Sequence, residues 1–226
     1  MFGYMDPMYL MLVIFSMVLG GLTQSYIKST YNKWSKVRSG LGSTGADVAR
    51  RMLDQNGANA CGIGRVGGQL TDHYDPRDNC LHLSDENYSG GSVASVAVAC
   101  HEAGHAVQTA KGYVFGQIRT ALVPVVNFAQ STWIIVFFAG AMMGLVGLVQ
   151  LAIILFAFSV VFQLVTLPVE IDASRRAVRY LAESGSGIDQ QGAKQVLTAA
   201  ALTYVAAALV SIANLAYLMA RSSSRR

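Results

Sequence analysis

Three long stretches of the chain contain no charged residue: Pro7 to Ile27, Thr120 to Val169, and Gln195 to Ala220. An apolar run of about 20 residues is long enough for a helix to cross the hydrocarbon core of a bilayer. The middle stretch is too long for one crossing. Its glycine-rich centre favours a turn between two spans near 122–143 and 147–168. The pattern therefore predicts four transmembrane helices.

Composition supports a membrane protein, because 53% of the residues are hydrophobic and only 13% are charged, against about 25% charged in soluble domains. Lys and Arg concentrate in segments 28–119 and 170–194, whereas the N-terminus and the hairpin turn have none. Since basic residues near span ends stay on the cytoplasmic side, both segments are predicted to be cytoplasmic and both termini outside.

The same charge pattern limits the partners. The basic residues are scattered along the predicted membrane borders, which favours contact with the lipid bilayer and gives no nucleic-acid surface. The chain has three cysteines, all on the predicted cytoplasmic side, so no disulfide is expected. The spans carry no Asp, Glu, Lys or Arg, which argues against a transporter.

The sequence of the polar segment between the first two spans predicts both helices and β-strands. Residues 44–56 form a short amphipathic helix capped by Ser43 or Thr44. Residues 69–71 and 80–83 alternate around the turn signal at 75–79, which predicts a β-hairpin. The GxGxxG match at 62–67 is interpreted as a glycine-rich turn, because no strand precedes it and no helix follows it. The predicted fold class is a mainly α membrane protein (α+β) with a small β-hairpin or sheet.

Another helix is predicted in the same polar segment. It begins after Ser92, a suitable N-cap, and ends at the stop signal Lys111-Gly112. It carries His101-Glu102-Ala103-Gly104-His105, an HExxH motif. Histidines at i and i+4 lie on one face of a helix, so both imidazoles reach one metal ion. Glu102 is rotated about 100° from His101 and is placed to act as general base on a zinc-activated water. The motif predicts peptide hydrolysis with one zinc ion per chain.

A catalytic zinc ion needs a third protein ligand. A hairpin of two spans returns the chain to the side that it left, so Glu170, the first charge after the hairpin, meets the two histidines again. We predict a helix that begins at Pro168 and carries Glu170 and Ser174 on one face. Asp172 points about 200° away from Glu170 and is the poorer ligand.

These motifs together resemble the bacterial YugP-like neutral zinc metallopeptidases, which are small integral membrane proteins. HEAGHAVQ, the apolar hairpin and LPVEIDASRRA carry the resemblance, and LTDHYDPR and LHLS fit it, over most of residues 40–180. It implies zinc at His101, His105 and Glu170, with Glu102 catalytic. The chain is more distantly similar to heat-shock-type and CAAX-processing membrane gluzincins, whose third ligand opens the pattern E-x-x-x-D. Ser174 stands where that pattern has Asp, as a weaker partner for a ligand histidine.

The predicted organisation is a transmembrane helix at 1–27, a cytoplasmic catalytic segment at 28–120, a transmembrane hairpin at 121–169, a third-ligand helix and link at 170–194, and a last helix and tail at 195–226. Four residues are candidate donors to the oxyanion of the reaction: His73, Tyr74, His82 and Tyr88. The expected substrate is a protein or peptide. Binding to other membrane proteins and formation of a homo-oligomer are both compatible with the sequence.

Two alternatives remain beside a membrane endopeptidase. One is a non-catalytic scaffold whose zinc ion holds two helices together, although structural zinc usually has four protein ligands. The other, more distant, is an intramembrane site-two-type protease. An ATP-driven membrane metalloprotease is excluded, because the chain has no G-x-x-x-x-G-K-[ST] motif.

Overall fold

The computed structural model describes residues 6–184 and 188–223. The helices are α1 Pro7–Trp34, α2 Gly45–Gln55, α3 Asp85–Ser89, α4 Val93–Ala110, α5 Val114–Met143, α6 Val146–Glu183 and α7 Gln190–Ser223. The strands are β1 Gly62–Val66, β2 His73–Asp75 and β3 Cys80–Ser84. The predicted fold class is therefore confirmed. Residues 185–187 of the predicted link lie outside the described residues.

Four helices, α1, α5, α6 and α7, are long and apolar enough to cross a membrane. Each contains one of the four predicted spans, and each is longer than its span. Helix α1 continues past residue 27 to Trp34. One expectation for the flanking segments was wrong: the helix that carries Glu170 does not begin at Pro168, because Pro168 lies inside the continuous helix α6.

The chain divides into two compact units. The first comprises residues 1–23, 118–167 and 203–226. Many of its large apolar side chains are exposed, among them Phe15, Phe128 and Ile135. Exposed apolar surface on this scale fits helices whose solvent is lipid. The unit is the membrane part of a multi-pass protein.

The turn of the apolar hairpin depends on two glycines. Gly144 ends α5 with φ +68°, a left-handed conformation that glycine adopts without strain. The amide of Leu145 then donates to the carbonyl of Gly140 at 2.9 Å. Gly140 itself packs so closely that a Cβ would lie 2.8 Å from the Cβ of Leu148. The hairpin is therefore tightly closed.

The second unit comprises residues 24–117 and 168–202 and has its own hydrophobic core. Helix α2 contributes Val48, Met52 and Leu53, which are almost fully buried. Its start is fixed by a capping box in which Thr44 and Asp47 bond each other's backbone amides, as the sequence predicts for a helix capped at 44. Helix α4, the inner face of the sheet, the end of α1 and parts of α6 and α7 also contribute to this core.

A three-stranded sheet of order β1-β3-β2 lies in the second unit. Strand β1 runs parallel to β3, and β2 pairs with β3 in an antiparallel hairpin. The predicted hairpin turn is confirmed, with Asn79 at φ 52° just before β3. Two details were wrong: the first hairpin strand is 73–75 instead of 69–71, and the GxGxxG segment contains strand β1 instead of a turn. Pairing with β3 outweighs the low strand preference of glycine there.

Candidate metal centre

Helix α4 presents the HExxH motif from within the core of the second unit. It begins after Ser92, whose hydroxyl accepts a hydrogen bond from the amide of Ser95 at 3.0 Å, and it ends at the C-cap Lys111. Both bounds were predicted from the sequence. The rings of His101 and His105 lie one turn apart with their centroids separated by 4.8 Å. The two imidazoles are therefore available to one ion.

Gly104 lets the backbone of α6 approach α4 closely. A Cβ at Gly104 would lie 2.8 Å from the carbonyl oxygen and 3.1 Å from the Cα of Ala173. These are backbone atoms that cannot turn aside, so any larger residue would separate the two helices. Ala173 is fully buried, and Glu170 lies one turn before it on α6. The missing side chain at Gly104 thus brings Glu170 to the histidines.

His101, His105 and Glu170 form a buried group with the donor atoms of a metal site. The Oε2 atom of Glu170 lies 3.2 Å from Nε2 of His101 and 3.5 Å from Nε2 of His105. Two ligand atoms bonded to one tetrahedral zinc ion at 2.0–2.2 Å are about 3.3–3.6 Å apart. Glu170 is only 2% exposed, and a buried carboxylate needs a cationic partner. Residue types and distances both fit zinc.

The second ring nitrogen of His105 is held by Gln108, which lies one turn later on α4. Nδ1 of His105 is 3.1 Å from Oε1 of Gln108. The amide nitrogen of Gln108 donates to the carbonyl of Val169 and to Oδ2 of Asp172, both at 2.8 Å. The side-chain oxygen of Gln108 therefore faces the imidazole and requires a proton on Nδ1. This leaves Nε2 of His105 with its lone pair towards Glu170, as a metal ligand needs.

Asp172 lies beside the group of His101, His105 and Glu170 and contacts it through Gln108. Its carboxylate accepts from Gln108 and also from Nε of Arg176, at 2.6 Å. The ion pair fixes the carboxylate, the carboxylate fixes Gln108, and Gln108 fixes the ring of His105. Helical geometry predicts that Asp172 is not a ligand, and its carboxylate bonds Gln108 and Arg176 instead of the two histidines.

Ser174 contacts the other histidine. Its hydroxyl lies 3.2 Å from Nδ1 of His101. The contact was anticipated from the E-x-x-x-D comparison, in which Ser174 replaces a carboxylate. A hydroxyl orients the ring through a neutral hydrogen bond, which is weaker than one to a charged acceptor. Each ligand histidine therefore has its own fixed partner.

Glu102 is 8% exposed and has the environment of a general base. Burial raises the pKa of its carboxyl to about 7, opposed by His101 and by the backbone amide of Tyr74, which donates to the carboxylate. A base whose pKa lies near neutrality is well matched to proton transfer. Strand β2, through Tyr74, thereby positions the carboxylate.

The four oxyanion candidates have other side-chain partners. The rings of His73 and His82 stack at 4.9 Å, and His82 bonds Asp78. The hydroxyl of Tyr74 donates to Asn79 at 3.0 Å, and the ring of Tyr88 lies beneath Arg65. None of these side-chain contacts involves His101, His105 or Glu170, so the assignment of an oxyanion donor stays a prediction.

Sequence reasoning gave no role to Gln108, although its position carried a signal. The residue follows His105 by three positions, so it lies on the ligand face of α4. A polar residue there, on a face otherwise lined by small apolar residues, predicts a partner for the adjacent ring. Gln108 is only 3% exposed, which makes such a partner necessary.

The chain has recognisable relatives among known proteins. No solved structure matches the chain. A curated relative from Bacillus subtilis (strain 168), named "Putative membrane protease YugP", is 43% identical over 210 residues, which cover 92% of this chain and 93% of the relative. Residues 9–223 match one family along almost the entire sequence. The chain therefore belongs to the family described as "Putative neutral zinc metallopeptidase".

Proposed function

We propose that the chain is a membrane-embedded zinc endopeptidase of the HExxH gluzincin type. The observation that carries the proposal is the approach of both Nε2 atoms to one oxygen of Glu170, at 3.2 and 3.5 Å, beside a buried Glu102. His101, His105 and Glu170 hold one zinc ion per chain in this proposal. Three protein ligands leave a fourth position for water or substrate, which is typical of catalytic zinc.

Zinc bound here would polarise the substrate carbonyl and make a water molecule more acidic. In this proposal Glu102 accepts a proton from that water and returns it to the leaving amine. Tyr74 keeps the carboxylate oriented through its backbone amide. Gln108 and Ser174 keep the two imidazoles in the orientation that exposes Nε2. The reaction is hydrolysis of a peptide bond.

The site is proposed to work at the cytoplasmic face, with both termini outside. Support comes from the Lys and Arg residues of segments 28–119 and 170–194, which contain all the proposed site residues. The name of the Bacillus relative, a membrane protease, agrees with a substrate near the bilayer. We propose membrane-proximal or misfolded protein segments as substrates.

The test is the Glu102→Gln variant, which removes the base and preserves the size of the side chain. The purified variant is compared with the wild type for zinc content and for cleavage of an unfolded fluorescent casein. The proposal expects zinc to be retained and cleavage to fall by about 100-fold or more, the scale of a general-base contribution. Equal cleavage by both proteins would exclude Glu102 as the base. A scaffold would show no zinc-dependent cleavage in either.

A further inference from the structure

The outer face of the sheet carries a second cluster of side chains whose types are those of metal ligands. Leu81 and Leu83 of β3 point into the core and are fully buried, so Cys80 and His82, which alternate with them, lie on the opposite face. Asp78 comes from the turn just before β3. One ligand atom from each of Asp78, Cys80 and His82 lies within 4.8 Å of the others.

Strand β1 leaves room for these side chains. The residues paired with Cys80 and His82 on β1 are Gly62 and Gly64. A Cβ at Gly62 would lie 3.2 Å from Sγ of Cys80, and one at Gly64 would lie 3.8 Å from Nδ1 of His82. Any side chain at Gly62 would crowd the sulfur. The two glycines therefore keep this part of the outer face open.

Asp78 is held so that one oxygen faces the group. Its Oδ1 accepts a hydrogen bond from the amide of Cys80 at 3.0 Å and closes the turn. Its Oδ2 lies 2.9 Å from Nε2 of His82. The hydrogen bond that closes the turn uses Oδ1 of Asp78. Oδ2 instead faces the imidazole of His82, close to the thiol of Cys80. Asp78, Cys80 and His82 follow one another at intervals of two positions, so the turn and strand β3 hold the three side chains close together.

We propose that Asp78, Cys80 and His82 form a second site, for a borderline transition-metal ion such as Zn²⁺. Sulfur and imidazole nitrogen together are donors that zinc prefers and that Mg²⁺ and Ca²⁺ avoid. The side chain of His82 is 27% exposed and that of Asp78 is 51% exposed, so the ion exchanges with solvent. This second site is separate from the group of His101, His105 and Glu170. The proposal does not rest on the proposed peptidase activity.

Cobalt(II) spectroscopy separates the two sites, because only the second has a sulfur ligand. Titration of the purified full-length protein with Co²⁺ should give a thiolate-to-cobalt charge-transfer band. Cys80→Ser should abolish the band, and Asp78→Asn and His82→Gln should weaken cobalt binding. Arg77→Ala is the matched control, since it changes an exposed residue of the same turn whose partner is Asp75, and it should leave the band intact.

A second measurement requires no substitution. Zn²⁺ should slow the alkylation of Cys80 by iodoacetamide, followed by mass spectrometry of the peptide that contains it. Mg²⁺ at the same concentration should have no effect. The proposal is overturned if wild-type protein gives no charge-transfer band at saturating Co²⁺, if Cys80→Ser retains the band, or if Zn²⁺ leaves the alkylation rate unchanged.

Discussion

The side-chain oxygen of Gln108 lies 3.1 Å from Nδ1 of His105 and favours the tautomer that carries its proton on Nδ1. The hydrogen bonds continue from Gln108 to Asp172 and from Asp172 to Arg176, so the ring of His105 on α4 is oriented by charged side chains on α6. Partners of this kind raise the basicity of a metal ligand and hold its ring in place.

Replacing Gln108 by leucine should therefore weaken zinc binding by about 10- to 100-fold, the usual effect of losing the partner of a ligand histidine. Competition with a chromophoric chelator measures the affinity. Gln117→Leu is the control, because it makes the same change at an exposed position on α5. Equal zinc affinity in the Gln108 variant and the wild type would refute the role of the His105 contact.

The Gly104→Ala variant should contain less zinc than the wild type and should also be less stable. The added methyl group would meet the backbone of Ala173 at 2.8 Å, and overpacking of this kind costs about 1–3 kcal/mol. That cost opposes a gain of up to about 1 kcal/mol from the better helix preference of alanine.

Gly116→Ala provides the matched control for Gly104→Ala, since its Cβ would make only an ordinary contact, 3.8 Å from Tyr113. Thermal unfolding in detergent and zinc content are measured on both variants. A Gly104 variant as stable and as zinc-rich as the control would show that α4 and α6 need no close approach.

The cysteines should differ in reactivity. Burial raises the pKa of the Cys61 thiol to about 11 and raises that of Cys100 further, and both side chains are almost inaccessible. In native protein at pH 8 without added metal, iodoacetamide should label Cys80 first, and all three should react after denaturation. Mass spectrometry identifies the modified peptides. Equal labelling of Cys100 in the native state would contradict the buried position of α4.

Chelation distinguishes a catalytic ion from one that holds the fold. The second unit has an extensive apolar core around Leu53, Leu81 and Val96, so it should stay folded when zinc is removed with 1,10-phenanthroline. Peptidase activity should disappear and return on addition of zinc, while helicity and resistance to trypsin hardly change. Unfolding upon chelation would favour a structural ion.

Much of the site could be predicted because its signals are local. The caps at Thr44 and Ser92 are side chains that bond amides three residues away, so their sequence positions carry the information. His101 and His105 meet through helical periodicity alone. Glu170 required one further step, the return of the chain after two spans.

The errors arise where distant residues decide the structure. Gly62 and Gly64 have low strand preference, yet they form β1 because they pair with Cys80 and His82. Pro168 suggested the start of a helix, since its missing amide is tolerated best there. The structure nevertheless continues α6 through it. Contacts between residues far apart in sequence do not appear in a local pattern.

The most direct test of the account is the zinc content of the purified protein compared with that of Glu170→Ala. The quantity of interest is the difference in zinc content between the two proteins. An ion at the Asp78, Cys80 and His82 site contributes equally to both and does not change that difference. The account predicts that the variant loses about one zinc ion per chain, because catalytic zinc depends on all three protein ligands. An unchanged zinc content would mean that Glu170 does not bind the ion and would contradict the proposed centre.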